Sequence, residues 1–138
     1  TCKIFYLTNK KKYLGHFADD KIMGQSLYGD WTSQQERFHA LSNWIMMHLN
    51  LDSSIKVYLE NYSMGSTGRV FSIAENTGIL KYNLYLQGNP IILLPPSTIK
   101  KYATGKGNAD KELMYEAFYN ETKIDLQNIL NSSIFSND

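Results

Sequence analysis

Cysteine is almost missing from this chain. One thiol, Cys2, stands in 138 residues. No disulfide can form within one copy and no cysteine-based zinc site can be built from it. So little cysteine points to a reducing compartment. Long apolar runs are also missing: the longest, Pro90-Ile-Ile-Leu-Leu-Pro-Pro96, falls far short of a membrane span. No secretory signal is visible. Charge of either sign is not in excess, with 14 Lys and Arg against 13 Asp and Glu and a net charge of +1. That balance alone predicts no nucleic-acid partner. Internal repeats, linkers and a second domain are absent as well.

What is present is ordinary globular composition, 43% hydrophobic and 20% charged, in a length that suits one domain with a real core. The first residue is Thr1, not Met, and a strand pattern starts at once; the last is Asp138. The expectation is a single domain over residues 1–138, cut at both ends. Positive charge is clustered in two places, Lys10-Lys-Lys12 and the set Lys100, Lys101, Lys106 and Lys111 around Gly105 and Gly107. The plain reading of either cluster is a solvated loop.

The pattern along the chain predicts an antiparallel hairpin from Cys2–Leu7 and Tyr13–Phe17, then an irregular stretch from Ala18 to Asp30. A helix follows from near Thr32, with Thr32 and Gln35 or Ser33 and Glu36 as its capping box and Phe38, Leu41, Ile45 and Leu49 on one face. His39 and His48 lie nine positions apart on it, which is not the i, i+4 spacing of a helical ligand pair, so both read as structural. Ile55–Leu59 is a strand, with Tyr58 and Glu60 on the face opposite Val57 and Leu59. A helix from Arg69 to about Gln87 carries two apolar stripes, one of Val70, Ile73, Ala74, Thr77 and Leu84, the other of Phe71, Ile79, Tyr82 and Leu86. Such a helix is covered from two sides, and the second cover could be another subunit. Gly78 within it costs roughly 1 kcal/mol relative to alanine, which a close helix approach would explain. Ile91–Leu94 reads as a buried parallel strand. A short helix capped by Ser97 runs through Tyr102, a loop covers Ala103–Asp110, Asp110 caps a helix to about Asn120, and Ile124–Leu130 forms a last helical turn. This order gives an α/β layer fold with a mixed sheet.

Two features carry chemistry. Glu60 ends a strand beside the polar, glycine-rich loop 61–69, and a carboxylate there needs a metal ion, a lysine or a hydrogen-bonded network as partner. Thr104-Gly-Lys-Gly-Asn108 is not a Walker A loop, since the G-x-x-x-x-G-K-[ST] spacing is absent. Glycines around a lysine can still bring main-chain N–H groups close to a phosphate backbone; an ordinary flexible loop is the other reading. Tyr62 and the Gly65–Gly68 loop place an aromatic beside Glu60 that could stack a base or remain a surface tyrosine. Asp19-Asp20 reads as a solvated turn.

Three strings together resemble a known family. They are Val57-Tyr-Leu-Glu60-Asn-Tyr62, then Gly68-Arg69-Val-Phe-Ser-Ile-Ala-Glu-Asn-Thr-Gly78, then Pro95-Pro-Ser-Thr-Ile-Lys-Lys-Tyr-Ala-Thr-Gly-Lys-Gly-Asn-Ala-Asp-Lys111. They look like the RuvC-type Holliday-junction resolvases, most like the bacteriophage branch, over about residues 54–119. The resemblance implies an RNase H-like fold with a five-stranded mixed sheet whose first three strands are antiparallel. It implies a homodimer, joined through the helix from Arg69 to Gln87, that cuts four-way or branched DNA. The cofactor it implies is Mg²⁺, with Mn²⁺ as a substitute, held by carboxylates, the ligand type magnesium prefers. Carried over by position, Glu60 matches the metal ligand on the fourth strand, and Asp138 stands where the first aspartate of a D-x-x-D pair is expected. Lys106 and Lys111 resemble lysines that approach the scissile phosphate. Arg69, Lys100, Lys101, Thr104, Gly105, Gly107 and Asn108 fall on the DNA-binding side. Tyr62 lies about one residue from the family's junction-probing aromatic. The implied location is the cytoplasm, that of the host cell if a bacteriophage encodes the protein.

The chain departs from the pattern in lacking the first-strand aspartate. Cys2–Leu7 and Tyr13–Phe17 match the second and third strands, so at most two of the four metal ligands are here. A gap beside the missing strand is expected to be unpaired and prone to aggregation. Two other readings remain open: a non-catalytic DNA-binding module of the same fold, and a small ligand-binding α/β domain unrelated to nucleic acid.

Overall fold

The computed structural model describes residues 2–27, 31–62, 68 and 70–132. It is mixed α/β, with small sheets flanked by helices, an architecture compatible with an RNase H-like fold. The chain divides into two compact units, residues 1–28 with 100–138, and residues 29–99.

In the first unit, β1 (Ile4–Leu7), β2 (Gly15–Phe17) and β3 (Ile22–Gln25) form a sheet in the order β1-β3-β2. The predicted β1–β2 hairpin is not formed. β3 lies between the two strands, parallel to β1 and antiparallel to β2, in the stretch read from sequence as irregular. Gly24 is what lets β3 fit between them. A Cβ there would meet the Tyr13 carbonyl oxygen at 2.0 Å and the Tyr6 ring at 2.7 Å. Tyr6 crosses this gap, and its hydroxyl donates to the Tyr13 carbonyl at 2.6 Å. Ile22 and Tyr13 are buried here. Ala18, Asp19 and Asp20 turn β2 into β3 with φ of 51°, 53° and 63°, left-handed values that aspartate tolerates better than most residues. Both aspartates are solvent-exposed, as the turn reading expects, and Asp20 meets His16 Nδ1 at 2.9 Å.

The same unit holds α4 (Lys111–Thr122) and α5 (Leu126–Leu130). Asp110 caps α4 by accepting from the Leu113 N–H at 2.9 Å, as expected. Asp125 caps α5 and also accepts from the Tyr115 hydroxyl at 2.6 Å. That bond from Tyr115, then the Asn128 N–H, hold the Asp125 carboxyl below its usual range. Burial, reinforced by the bond to Asp125, pushes the Tyr115 hydroxyl up.

The second unit is built on α1 (Gln34–Leu49), β4 (Val57–Glu60), α2 (Val70–Gln87) and β5 (Ile91–Leu94). Ser33 caps α1 by accepting from the Glu36 N–H at 3.1 Å, while Glu36 Oε2 accepts from both the N–H and the hydroxyl of Thr32 at 2.7 Å. Asn50, in the left-handed region, ends α1. β4 and β5 pair in parallel with Glu60 opposite Leu94, so β4-α2-β5 is a crossover unit, as the apolar run of β5 suggests. Asn89, buried to 5% exposure, ties its start: the amide donates to the carbonyls of Asp52 and Ile55 at 2.8 and 3.0 Å.

The core of this unit is Phe38 of α1 against Leu80 and Leu84 of α2, with the Asn83 amide donating to the buried Ser42 hydroxyl at 2.7 Å. The two-stripe reading of α2 needs correction. Leu80, in neither predicted stripe, is buried, whereas Ile73 of the first stripe and Phe71, Tyr82 and Leu86 of the second are exposed. The expected continuous five-stranded sheet is also not seen: the described strands form one sheet of three and another of two. Helix α3 (Pro96–Thr104) begins in the second unit and ends in the first, two residues beyond its predicted end.

Candidate functional site

Pro96 opens α3, where a missing N–H costs nothing, and Gly105 closes it at φ +82°, donating its N–H to the Lys101 carbonyl at 2.8 Å. The Thr104 hydroxyl donates to the Lys100 carbonyl at 2.8 Å and accepts from the Lys106 N–H at 3.1 Å. The Ala109 N–H then bonds the Lys106 carbonyl, and the buried Ala109 leads into the Asp110 cap. The loop between α3 and α4 is thus held at both ends and in its middle. It presents Lys101, Gly105, Lys106, Asn108 and Lys111 to solvent, with Lys100, Thr104 and Gly107 half-buried beneath. Seven of the positions singled out from sequence, Lys100 to Asn108, and Lys111 one residue past the cap, come together here. These hydrogen bonds give the segment a defined backbone.

An open groove of about 480 Å³ adjoins this hinge, between the end of α3 and α4. Glu116 and Glu121 line it together with Leu113 and Ala117. Two carboxylates at its wall make the groove unfavourable for a phosphate.

In the other unit, Glu60 is the last residue of β4, and the ladder continues one step further through the Asn61 N–H to the Leu94 carbonyl at 2.8 Å. The strand alternates as predicted, with Tyr58 and Glu60 on one face. Burial of Glu60 does not follow: its side chain is exposed. The desolvation argument for a compulsory partner therefore falls away. Tyr62 is half-buried. Its ring lies under the Lys81 ammonium at 5.4 Å and its hydroxyl reaches the Ala74 carbonyl at 3.5 Å. Arg69 and Asp138 lie outside the described residues, as does the Gly65–Thr67 part of the adjoining loop.

Among the described residues no group of three or more His, Cys, Asp or Glu side chains converges to hold a metal ion. One exposed carboxylate does not make a magnesium site, so the described donors do not fit the expected cofactor by themselves. His39 and His48 have local roles on α1, the first bonded to the Asn43 amide at 3.0 Å and the second edge-on to Trp44 at 5.0 Å. Sequence reasoning passed over Tyr102, which is 89% exposed in the last turn of α3. The signal was present in its i+4 spacing from Thr98 and its place beside Lys101.

No family model matches the chain. A curated protein, the crossover junction endodeoxyribonuclease RuvC of Synechococcus sp. (strain CC9311), is 26% identical over 93 residues. The match covers 67% of this chain and 58% of that protein's length. The likeness is a distant RuvC-like relationship. No helix among the described residues is long and apolar enough to cross a membrane.

Proposed function

We propose that this chain belongs to a structure-selective endodeoxyribonuclease that resolves four-way or otherwise branched DNA by metal-dependent phosphodiester hydrolysis, of the bacteriophage kind among RuvC-like proteins. The observation that carries the reading is the lysine loop between α3 and α4, held by Thr104 and Gly105 with its cations facing solvent. A backbone fixed in advance loses little freedom when it meets a phosphate, and exposed lysines on it suit a polyanion. The distant likeness to RuvC supports the same reading. Lys106 and Lys111 are assigned to the scissile phosphate. Lys100, Lys101, Thr104, Gly105, Gly107 and Asn108, with Arg69, are assigned to the DNA backbone.

The proposed cofactor is Mg²⁺, with Mn²⁺ able to replace it, and Glu60 and Asp138 are the ligands this chain would supply. The metal's role would be to activate water and stabilise the leaving oxygen. The proposed assembly is a homodimer through α2. Its outer face leaves Phe71, Tyr82, Tyr85 and Leu86 exposed, and nothing lies within 4 Å of where a Gly78 Cβ would be. The proposed location is the cytoplasm of a host cell.

A second reading is a non-catalytic DNA-binding module of the same fold. The exposure of Glu60, with no group of three or more His, Cys, Asp or Glu side chains gathered among the described residues, favours it. Incubating the full-length protein with a labelled four-way junction and Mg²⁺ separates the two. The nuclease reading expects paired nicks, and a loss on the order of 100-fold or more in Glu60→Gln, above the effect of removing a ligand's supporting partner. Junction binding without nicks, unchanged by Glu60→Gln, selects the binding module.

A further inference from the structure

We infer that Tyr102 is a stacking platform for an unpaired DNA base, set at the edge of the lysine loop. The inference rests on the nucleic-acid reading above and adds a contact that reads strand separation instead of charge.

Residues 98, 101, 102 and 105 share one helical face, because positions three and four apart are neighbours on a helix. All four are exposed, and Tyr102, at 89%, is the most exposed of the large hydrophobic residues among those described. A tyrosine ring left in water gives up a large apolar contact area. Its surroundings say what would cover it. Thr98, Lys101 and Gly105, its neighbours by helical spacing, are polar, cationic or bare backbone and all exposed, so the ring shares its face with a cation. A protein partner would want the opposite, an apolar centre with a polar edge. The outer face of α2 has that character and this face lacks it. Nearby acid does not oppose an anion strongly, since Asp110 is turned into α4 as its cap.

An aromatic ring flanked by lysines is the usual means of holding single-stranded nucleic acid, with the cations on the backbone and the ring on a base. A base in a closed duplex offers no free face. The ring is therefore specific for the unpaired nucleotide at a branch point or a single-stranded arm. The Tyr62 ring, already packed under Lys81, cannot offer the same platform without leaving that contact.

The test compares binding of the full chain to a fork with single-stranded arms and to a blunt duplex of equal length, by fluorescence anisotropy at two salt concentrations. The proteins are wild type, Tyr102→Ala, Tyr102→Phe and, as an exposed tyrosine elsewhere, Tyr119→Ala. Tyr102→Ala should bind the fork roughly 10-fold more weakly, within the range known for one base on one ring, and bind the duplex as before. Its salt dependence should equal that of wild type, since no charge is removed. Tyr102→Phe and Tyr119→Ala should match wild type. Equal fork binding by Tyr102→Ala and wild type overturns the inference and leaves the nuclease reading standing. So does an equal loss on fork and duplex. If wild type binds neither DNA, the nucleic-acid reading fails and this inference with it.

Discussion

Helices α2 and α3 each turn a face to water, and the two faces carry different chemistry. That of α2 is apolar, with Phe71, Tyr82, Tyr85 and Leu86 all more than half exposed. That of α3 is a lysine, a tyrosine and a glycine, running on into a cationic loop. Inward, α2 is well satisfied by Leu80, Leu84 and the Asn83–Ser42 bond. The difference separates two kinds of unfinished surface. Apolar side chains gathered on one face are unfavourable in water until another apolar surface covers them, which points to a protein partner. A charged loop on a braced backbone is stable as it stands and waits for a counter-charge.

The largest effect that would break this comparison is expected at Tyr82. Tyr82→Glu places a charge at the centre of the α2 stripe, and sedimentation should show the proposed dimer weakened by more than about 10-fold, the loss usual for a central interface aromatic. An unchanged monomer before and after substitution would remove the distinction between the two helices.

Next is Gly24→Ala, which touches neither exposed face. The added methyl collides with the Tyr13 carbonyl and the Tyr6 ring, and chemical denaturation should show a loss of about 1–3 kcal/mol. A neutral result would mean that β3 does not lie where the sheet order places it.

The smallest effect is expected from pH. The folded-state pKa of Asp125 is depressed, so its contribution is present above the ordinary carboxylate range and is lost as pH falls through the folded value. The pKa of Tyr115 is raised, so its contribution is present below about pH 10 and is lost as pH rises through the folded value. Asp125→Asn should flatten the acid side of the stability profile slightly; an acid limb identical to wild type would contradict the α5 cap.

The helices were largely legible in the sequence because their signals are local. Ser33, Asp110 and the glycines after α2 and α3 act within one turn of themselves, and each end falls within about two residues of expectation. β4 and β5 were legible from their apolar runs. The amino-terminal sheet was not. A strand of four residues containing glycine has no period to read, and the close approach of Tyr6 to Tyr13 across Gly24 is a contact between strands. The burial of Glu60 was misjudged for a related reason. Alternation gives the face of a side chain correctly, but not whether anything covers that face. The lysine loop was found as a set of residues, while its bracing by Thr104 depends on a hydroxyl whose partners appear only once the turn is folded.

The α3–α4 loop is proposed as a DNA-binding surface. Its most direct test is the affinity of the protein for a four-way junction, with linear duplex as competitor, between about 50 and 200 mM salt. We expect preference for the junction, affinity that falls steeply with salt, and a slope reduced by roughly 0.9 for each of Lys101→Ala, Lys106→Ala and Lys111→Ala. Affinity indifferent to salt and to all three lysines would contradict the account.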